Sequence, residues 1–144
     1  MNLLVMGLSH KTAPVAQREK ATMSEIAARQ VLRDLQRNPH VDEVIALSTC
    51  NRTELCVASA RPADVEPALA EAFVARTRIS ASELACAQYI LRDERAATQL
   101  FRVTSSLDSM VLGESEIQAQ VKAAWERAGE EGTVGPILNR LFRQ

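Results

Sequence analysis

Short apolar runs alternate with amphipathic stripes along the first ninety residues, and this order restricts the fold more than any other feature of the chain. The run from 2 to 8, which holds Gly7, is long enough for a buried strand and too short for a typical helix. A polar loop is predicted from Ser9 to Thr22, stiffened by the step Thr12-Ala13-Pro14. Thr22 and Glu25 have the spacing of a capping box, and Ile26, Val31, Leu32 and Leu35 then share roughly one helical face until Asn38-Pro39 stops the helix. Val44 to Leu47 reads as a second strand. Thr53 to Ser59 reads as a third, joined to it by a tight polar turn at 49–52. Pro62 suits the first turn of a helix that carries Val65, Leu69, Phe73 and Val74. Ser80 with Glu83 repeats the capping-box spacing before a short helical turn, and Gln88 to Leu91 completes the set as a fourth strand. The order β-α-β-β-α-β predicts an α+β fold, a ferredoxin-like split βαβ sheet with helices on one face.

The last third is helical in pattern. Ala96, Ala97, Leu100, Phe101 and Val103 form one stripe; Ile117, Val121, Ala124, Trp125 and Ala128 form another. Gly129-Glu130-Glu131-Gly132 is expected to break the chain before a third stripe, Ile137, Leu138, Leu141 and Phe142, which runs into the last residues as a segment of something longer would. The expected parts are therefore 1–92 for the ferredoxin-like unit, 93–134 for a helical part of the same domain, and 135–144 for the start of a further helix. With 144 residues, 47% of them hydrophobic, the chain can bury a real core. The core must be aliphatic, because only one Trp, one Tyr and three Phe are present.

Charge and cysteine usage narrow the function classes. A formal net charge of −1 offers no broad attraction to nucleic acid, so an RNA contact requires a local patch or a pocket for one end. Cys50, Cys56 and Cys86 are odd in number and lack C-x-x-C spacing, which argues against a disulfide framework and against a structural zinc site. The apolar amino terminus lacks the basic lead-in of a signal peptide, and no stretch approaches the roughly 20 apolar residues of a membrane span. A cytoplasmic, thiol-reducing setting is expected. The glycines at 7, 113, 129, 132 and 135 make no G-x-G-x-x-G after a strand, so no dinucleotide site is visible.

Cys50 follows an apolar strand in a turn crowded with polar groups. A cysteine attacks as thiolate, which a cation such as Arg52 favours; equally, a lone cysteine is commonly a small buried apolar residue. Cys56, inside Leu55-Cys56-Val57, and Cys86, between alanines, fit the second description. Arg52 suits a structural role against Glu54 or a fork for a substrate carboxylate. His40 reads as a solvated loop residue, whereas His10 ends the first strand near the expected rim of Cys50. Glu114 and Glu116 complement the positive start of a helix. Gln120 lies beside an apolar stripe and needs a polar partner.

At these residues the sequence resembles the glutamyl-tRNA reductase family, in its amino-terminal catalytic domain. Three blocks carry the resemblance: Gly7-Leu8-Ser9-His10-Lys11-Thr12-Ala13-Pro14, Leu47-Ser48-Thr49-Cys50-Asn51-Arg52-Thr53-Glu54, and Leu107-Asp108-Ser109-Met110-Val111-Leu112-Gly113-Glu114. Arg18-Glu19, Leu100-Phe101-Arg102-Val103 and the stretch from Gln118 to Lys122 support it, so almost the whole chain is covered. The resemblance implies that Cys50 attacks the aminoacyl ester of glutamyl-tRNA to form a thioester. NADPH, held by a domain absent here, then reduces that thioester to glutamate-1-semialdehyde for tetrapyrrole (porphyrin and heme) synthesis. It implies a substrate pocket of Thr49, Cys50, Asn51 and Arg52, with Ser109, Glu114, Ser115, Glu116 and Gln120 opposite, and no metal. Residues 135–144 would begin a linking spinal helix. The longer protein would be a homodimer that can hand its product to an aminomutase.

The chain departs from the family pattern at several positions. Gln99 stands where the family has a histidine implicated in activity, and an amide orients a group without taking its proton. Leu91 replaces a second histidine, Ser106 a glycine, and Ser115-Glu116 a Pro-Gln pair. Proton transfer then falls to His10 or water. The competing class is a diverged, non-catalytic or weakly active binding module; a peroxide-sensing cysteine protein ranks third, since Cys50 shows no resolving partner.

Overall fold

The computed structural model describes residues 2–105 and 115–143, with side chains from residue 118 onward in the second stretch. Its strands are β1 (Asn2–Ser9), β2 (Glu43–Ser48), β3 (Arg52–Ser59) and β4 (Tyr89–Arg92). They form one sheet in the order β2-β3-β1-β4, with every neighbouring pair antiparallel. That is the ferredoxin-like arrangement expected from the sequence. The described helices are α1 (Val15–Ala21), α2 (Glu25–Gln36), α3 (Pro62–Arg76), α4 (Ala81–Ala87), α5 (Glu94–Thr104), α6 (Ser115–Glu131) and α7 (Pro136–Phe142).

Local chemistry explains most of the boundaries. Pro62 opens α3, and the Ser80–Glu83 box opens α4 with both reciprocal bonds made. α2 is capped by Ser24, which accepts from the Ala27 N–H, and not by Thr22, which ends α1 instead. The stretch read as a polar loop contains α1. This helix escapes a periodicity reading because it is seven residues long and buries only Ala21. The break expected over Gly129-Glu130-Glu131-Gly132 comes at the last of these residues: α6 continues through Gly129 to Glu131, and Gly132, at φ 72°, takes the left-handed turn that glycine tolerates. Among residues assigned to apolar stripes, Ile26 and Phe101 are 71% and 53% exposed.

Helices were expected on one face of the sheet, yet every residue of β3 is buried whichever way its side chain alternates. Both faces are therefore covered. α2 and α3 pack on each other and on the sheet, while α5, α6 and α7 from the last third supply the second cover. Those helices are fastened to the first ninety residues by specific groups. Glu43, 4% exposed, accepts from Gly135 N at 2.7 Å, Leu138 N at 2.9 Å and Ile137 N at 3.1 Å, so a buried carboxylate caps α7. The Thr133 carbonyl accepts the Val44 N–H and its hydroxyl donates to the Val44 carbonyl, which covers the outer edge of β2. Arg127 joins Glu25 to the Ala46 carbonyl, and Arg29 and Arg33 meet Glu131. Among the described residues no helix is long and apolar enough to cross a membrane.

Candidate active site

The β2–β3 turn is built by Thr49. Its hydroxyl accepts the N–H groups of Asn51 at 3.1 Å and Arg52 at 3.2 Å, and its own N–H donates to the Arg52 carbonyl at 2.7 Å. Thr49 is thus 6% exposed while Cys50, next in the chain, is exposed to solvent. The Asn51 carbonyl accepts the His10 N–H at 2.9 Å, so His10 does share the rim of this turn. On the facing strand, Ser9 and Thr12 lock the start of the following loop through bonds of 3.1 Å (Ser9 N to Thr12 Oγ1) and 2.9 Å (Ala13 N to Ser9 O).

Arg52 begins β3 and turns inward. Its side chain is 1% exposed, with Nη1 at 3.7 Å from Oε2 of Glu54, which is itself fully buried. Alternation along the strand puts Arg52, Glu54 and Cys56 on the face covered by α5. Across that face, Glu54 Oε2 accepts from Gln99 Nε2 at 2.9 Å and from the Tyr89 hydroxyl. Burial first, and then the negative charge and hydrogen bond of Glu54, push the Tyr89 hydroxyl above its usual range. Burial likewise pushes the Cys56 thiol up, which makes Cys56 an inert neighbour of the site. A pocket of about 140 Å³ opens beside this cluster, between Ser9, Lys11, Thr12, Tyr89, Leu91 and Gln99.

The structure therefore joins Thr49, Cys50, Asn51 and Arg52 in one turn and brings Gln99 to the Arg52–Glu54 pair. The positive charge expected to favour a Cys50 thiolate sits on a guanidinium already facing a carboxylate. Ser109 and Glu114 lie outside the described residues; Ser115 and Glu116 begin α6, their side chains outside the description. Gln120 is exposed on α6. Cys86, read as a packed residue, is also exposed. Tyr89 was not anticipated, nor was the role of Glu54 as a hub. Gly7 inside an apolar strand was the available signal, because such a glycine marks a close approach by a neighbour.

The fold and site define a ferredoxin-like α+β domain that presents a turn cysteine above a buried arginine–glutamate pair. Residues 6–144 match the family model for the glutamyl-tRNA(Glu) reductase N-terminal domain. Similar curated proteins include the glutamyl-tRNA reductase of Cyanophora paradoxa, 40% identical over 100% of this chain and 33% of that protein. The glutamyl-tRNA reductase of Stenotrophomonas maltophilia is 44% identical over 100% of this chain and 32% of that protein. Among solved structures, glutamyl-tRNA reductase from Methanopyrus kandleri superposes with a TM-score of 0.75 at 32% identity, over 98% of this chain and 31% of that one. The chain belongs to the glutamyl-tRNA reductase N-terminal domain family, and it spans about a third of the length of these relatives.

Proposed function

We propose that this chain is the acyl-accepting catalytic domain of a glutamyl-tRNA reductase, with Cys50 as nucleophile and Arg52 as the fork for the free γ-carboxylate of the glutamyl group. The observation that carries the reading is the contrast between adjacent residues of one turn: an exposed thiol at 50 and a buried guanidinium at 52. The thiolate sulfur bonds to the α-carbonyl carbon, the carbon–oxygen bond to the terminal ribose breaks, and the ribose oxygen leaves with the proton that the thiol gave up. His10, tied to the turn through Asn51, or water carries that proton. A thioester is then left on Cys50, more open to hydride than the oxygen ester was.

NADPH would supply that hydride in the longer protein. The described part of this chain does not fit it: the sheet is antiparallel throughout, and Gly7, the glycine of β1, faces Thr53 and Glu54 instead of a phosphate. The reduction step is therefore not assigned to these residues. By the same reading, Ser109, Glu114, Ser115, Glu116 and Gln120 reach the substrate from the opposite side on sequence resemblance alone. The product would be glutamate-1-semialdehyde for tetrapyrrole synthesis. Homodimerisation, a cytoplasmic setting and hand-over to an aminomutase belong to the whole protein.

Incubation of the chain with glutamyl-tRNA followed by intact-mass analysis tests the proposal. One glutamyl adduct on Cys50, or Cys50-dependent deacylation of the tRNA, is expected. Absence of both, or an adduct that survives Cys50→Ser, overturns it.

A further inference from the structure

Gly7 pairs with Glu54 on one side and with Tyr89 on the other, so the three stand in one row across β3, β1 and β4. Side chains of paired residues share a face, and those two strands apart are separated by roughly 10 Å of sheet. A middle side chain would block the gap. At Gly7 a Cβ would lie 2.5 Å from the Thr53 carbonyl oxygen and 2.8 Å from Glu54 Cγ. Glu54 leans across this gap, and its Oε2 takes the Tyr89 hydroxyl from β4 and the Gln99 amide from α5. The same oxygen faces Arg52 Nη1 at 3.7 Å, a contact between opposite charges that is longer than a hydrogen bond.

We propose that Tyr89 and Gln99 form a two-donor clamp that holds Glu54 off Arg52, and that Gln99 is thereby a positioning residue for the carboxylate fork. A glutamate without competing donors would close on the guanidinium as a bidentate bridge, the geometry that a substrate carboxylate needs for itself. Two neutral donors on Oε2 keep the pair at contact distance. Gln99 acts through Glu54 and moves no proton, so an amide suffices at this position. The inference rests on the substrate reading of Arg52 given above.

Single-turnover acylation of Cys50 at varied glutamyl-tRNA concentration tests it. Gln99→Leu should raise the half-saturating concentration about tenfold, the equivalent of one lost hydrogen bond, while the maximal rate stays within about twofold. Gln99→His, which keeps an N–H donor, should restore saturation at pH 8. Unchanged saturation in Gln99→Leu, or a loss confined to the maximal rate, overturns the proposal. A second readout needs no substrate. Tyr89 is the only tyrosine of the chain, so tyrosinate absorbance during alkaline titration reports on it alone. Glu54→Gln should lower its ionisation midpoint by at least about one pH unit, and an unchanged midpoint overturns the clamp. If Cys50 is not acylated at all, the functional reading fails, and the tyrosine titration still decides the clamp. If Glu54→Gln does not fold, the Gln99 series decides it.

Discussion

The two faces of β3 use the same strand for different ends. On one face Leu55 and Val57 are fully buried apolar side chains, continuous with the aliphatic core under α2 and α3. On the other, Arg52 and Glu54 are as deeply buried but charged, and Glu54, which faces Arg52, accepts from polar groups that arrive from β4 and α5. Burial of apolar area stabilises the first face. Burial of an ion pair seldom does, because desolvation offsets the attraction. On the proposed reading, the contrast separates residues that make the fold from residues that meet the substrate.

Replacement across these faces should have opposite signatures. Glu54→Leu removes the carboxylate that faces a buried guanidinium and accepts from Tyr89 and Gln99, and it is expected to cost about 3–5 kcal/mol in urea denaturation, the largest effect of the set. The double change Arg52→Met with Glu54→Leu should recover most of that stability while Cys50 acylation stays absent. If the double variant regains acylation, the two faces are not distinct. Leu55→Ala should cost about 3 kcal/mol by opening a cavity, yet the fraction that remains folded should acylate at the parent rate.

Smaller effects sharpen the boundary with the last third. Glu43→Ala removes the acceptor for three N–H groups at the start of α7 and should cost about 1–2 kcal/mol, read as a lower Tm with the site intact. The smallest effect concerns the half-buried pair of Lys20 and Glu83, which ties α1 to α4. The Lys20 ammonium, with help from Ser80, holds the Glu83 carboxyl down to about 2 from an ordinary 4.5. Because the folded value is depressed, its contribution is present above about pH 4.5 and is lost as pH falls toward 2. Glu83→Gln should flatten the acid limb of Tm against pH by a small amount, because solvent still reaches and screens the pair.

What could be read in the sequence follows from the same contrast. The strands of the sheet were legible because short apolar runs of four to eight residues leave few alternatives, and the order of elements then restricted the topology. The turn at Thr49–Arg52 was legible as a cluster of polar residues after a strand. The Glu54 hub was not, because Tyr89 lies 35 residues and Gln99 lies 45 residues away in sequence, and only the register of three strands and the seating of α5 on them bring the three together. Periodicity also missed α1, which buries a single side chain, and misplaced Ile26 and Phe101, since an apolar stripe does not reveal how far the neighbouring elements extend.

The central claim is that an exposed thiol at 50 works with a buried carboxylate fork at 52, and the substrate itself can test it. Adduct formation on Cys50 can be timed with one tRNA charged with either glutamate or glutamine, which differ at the side-chain terminus. The account predicts that the glutamyl form acylates Cys50 at least about a hundredfold faster, because a neutral amide cannot make the charge-assisted, bidentate pair with Arg52 that a carboxylate makes. Equal rates for the two forms would contradict it.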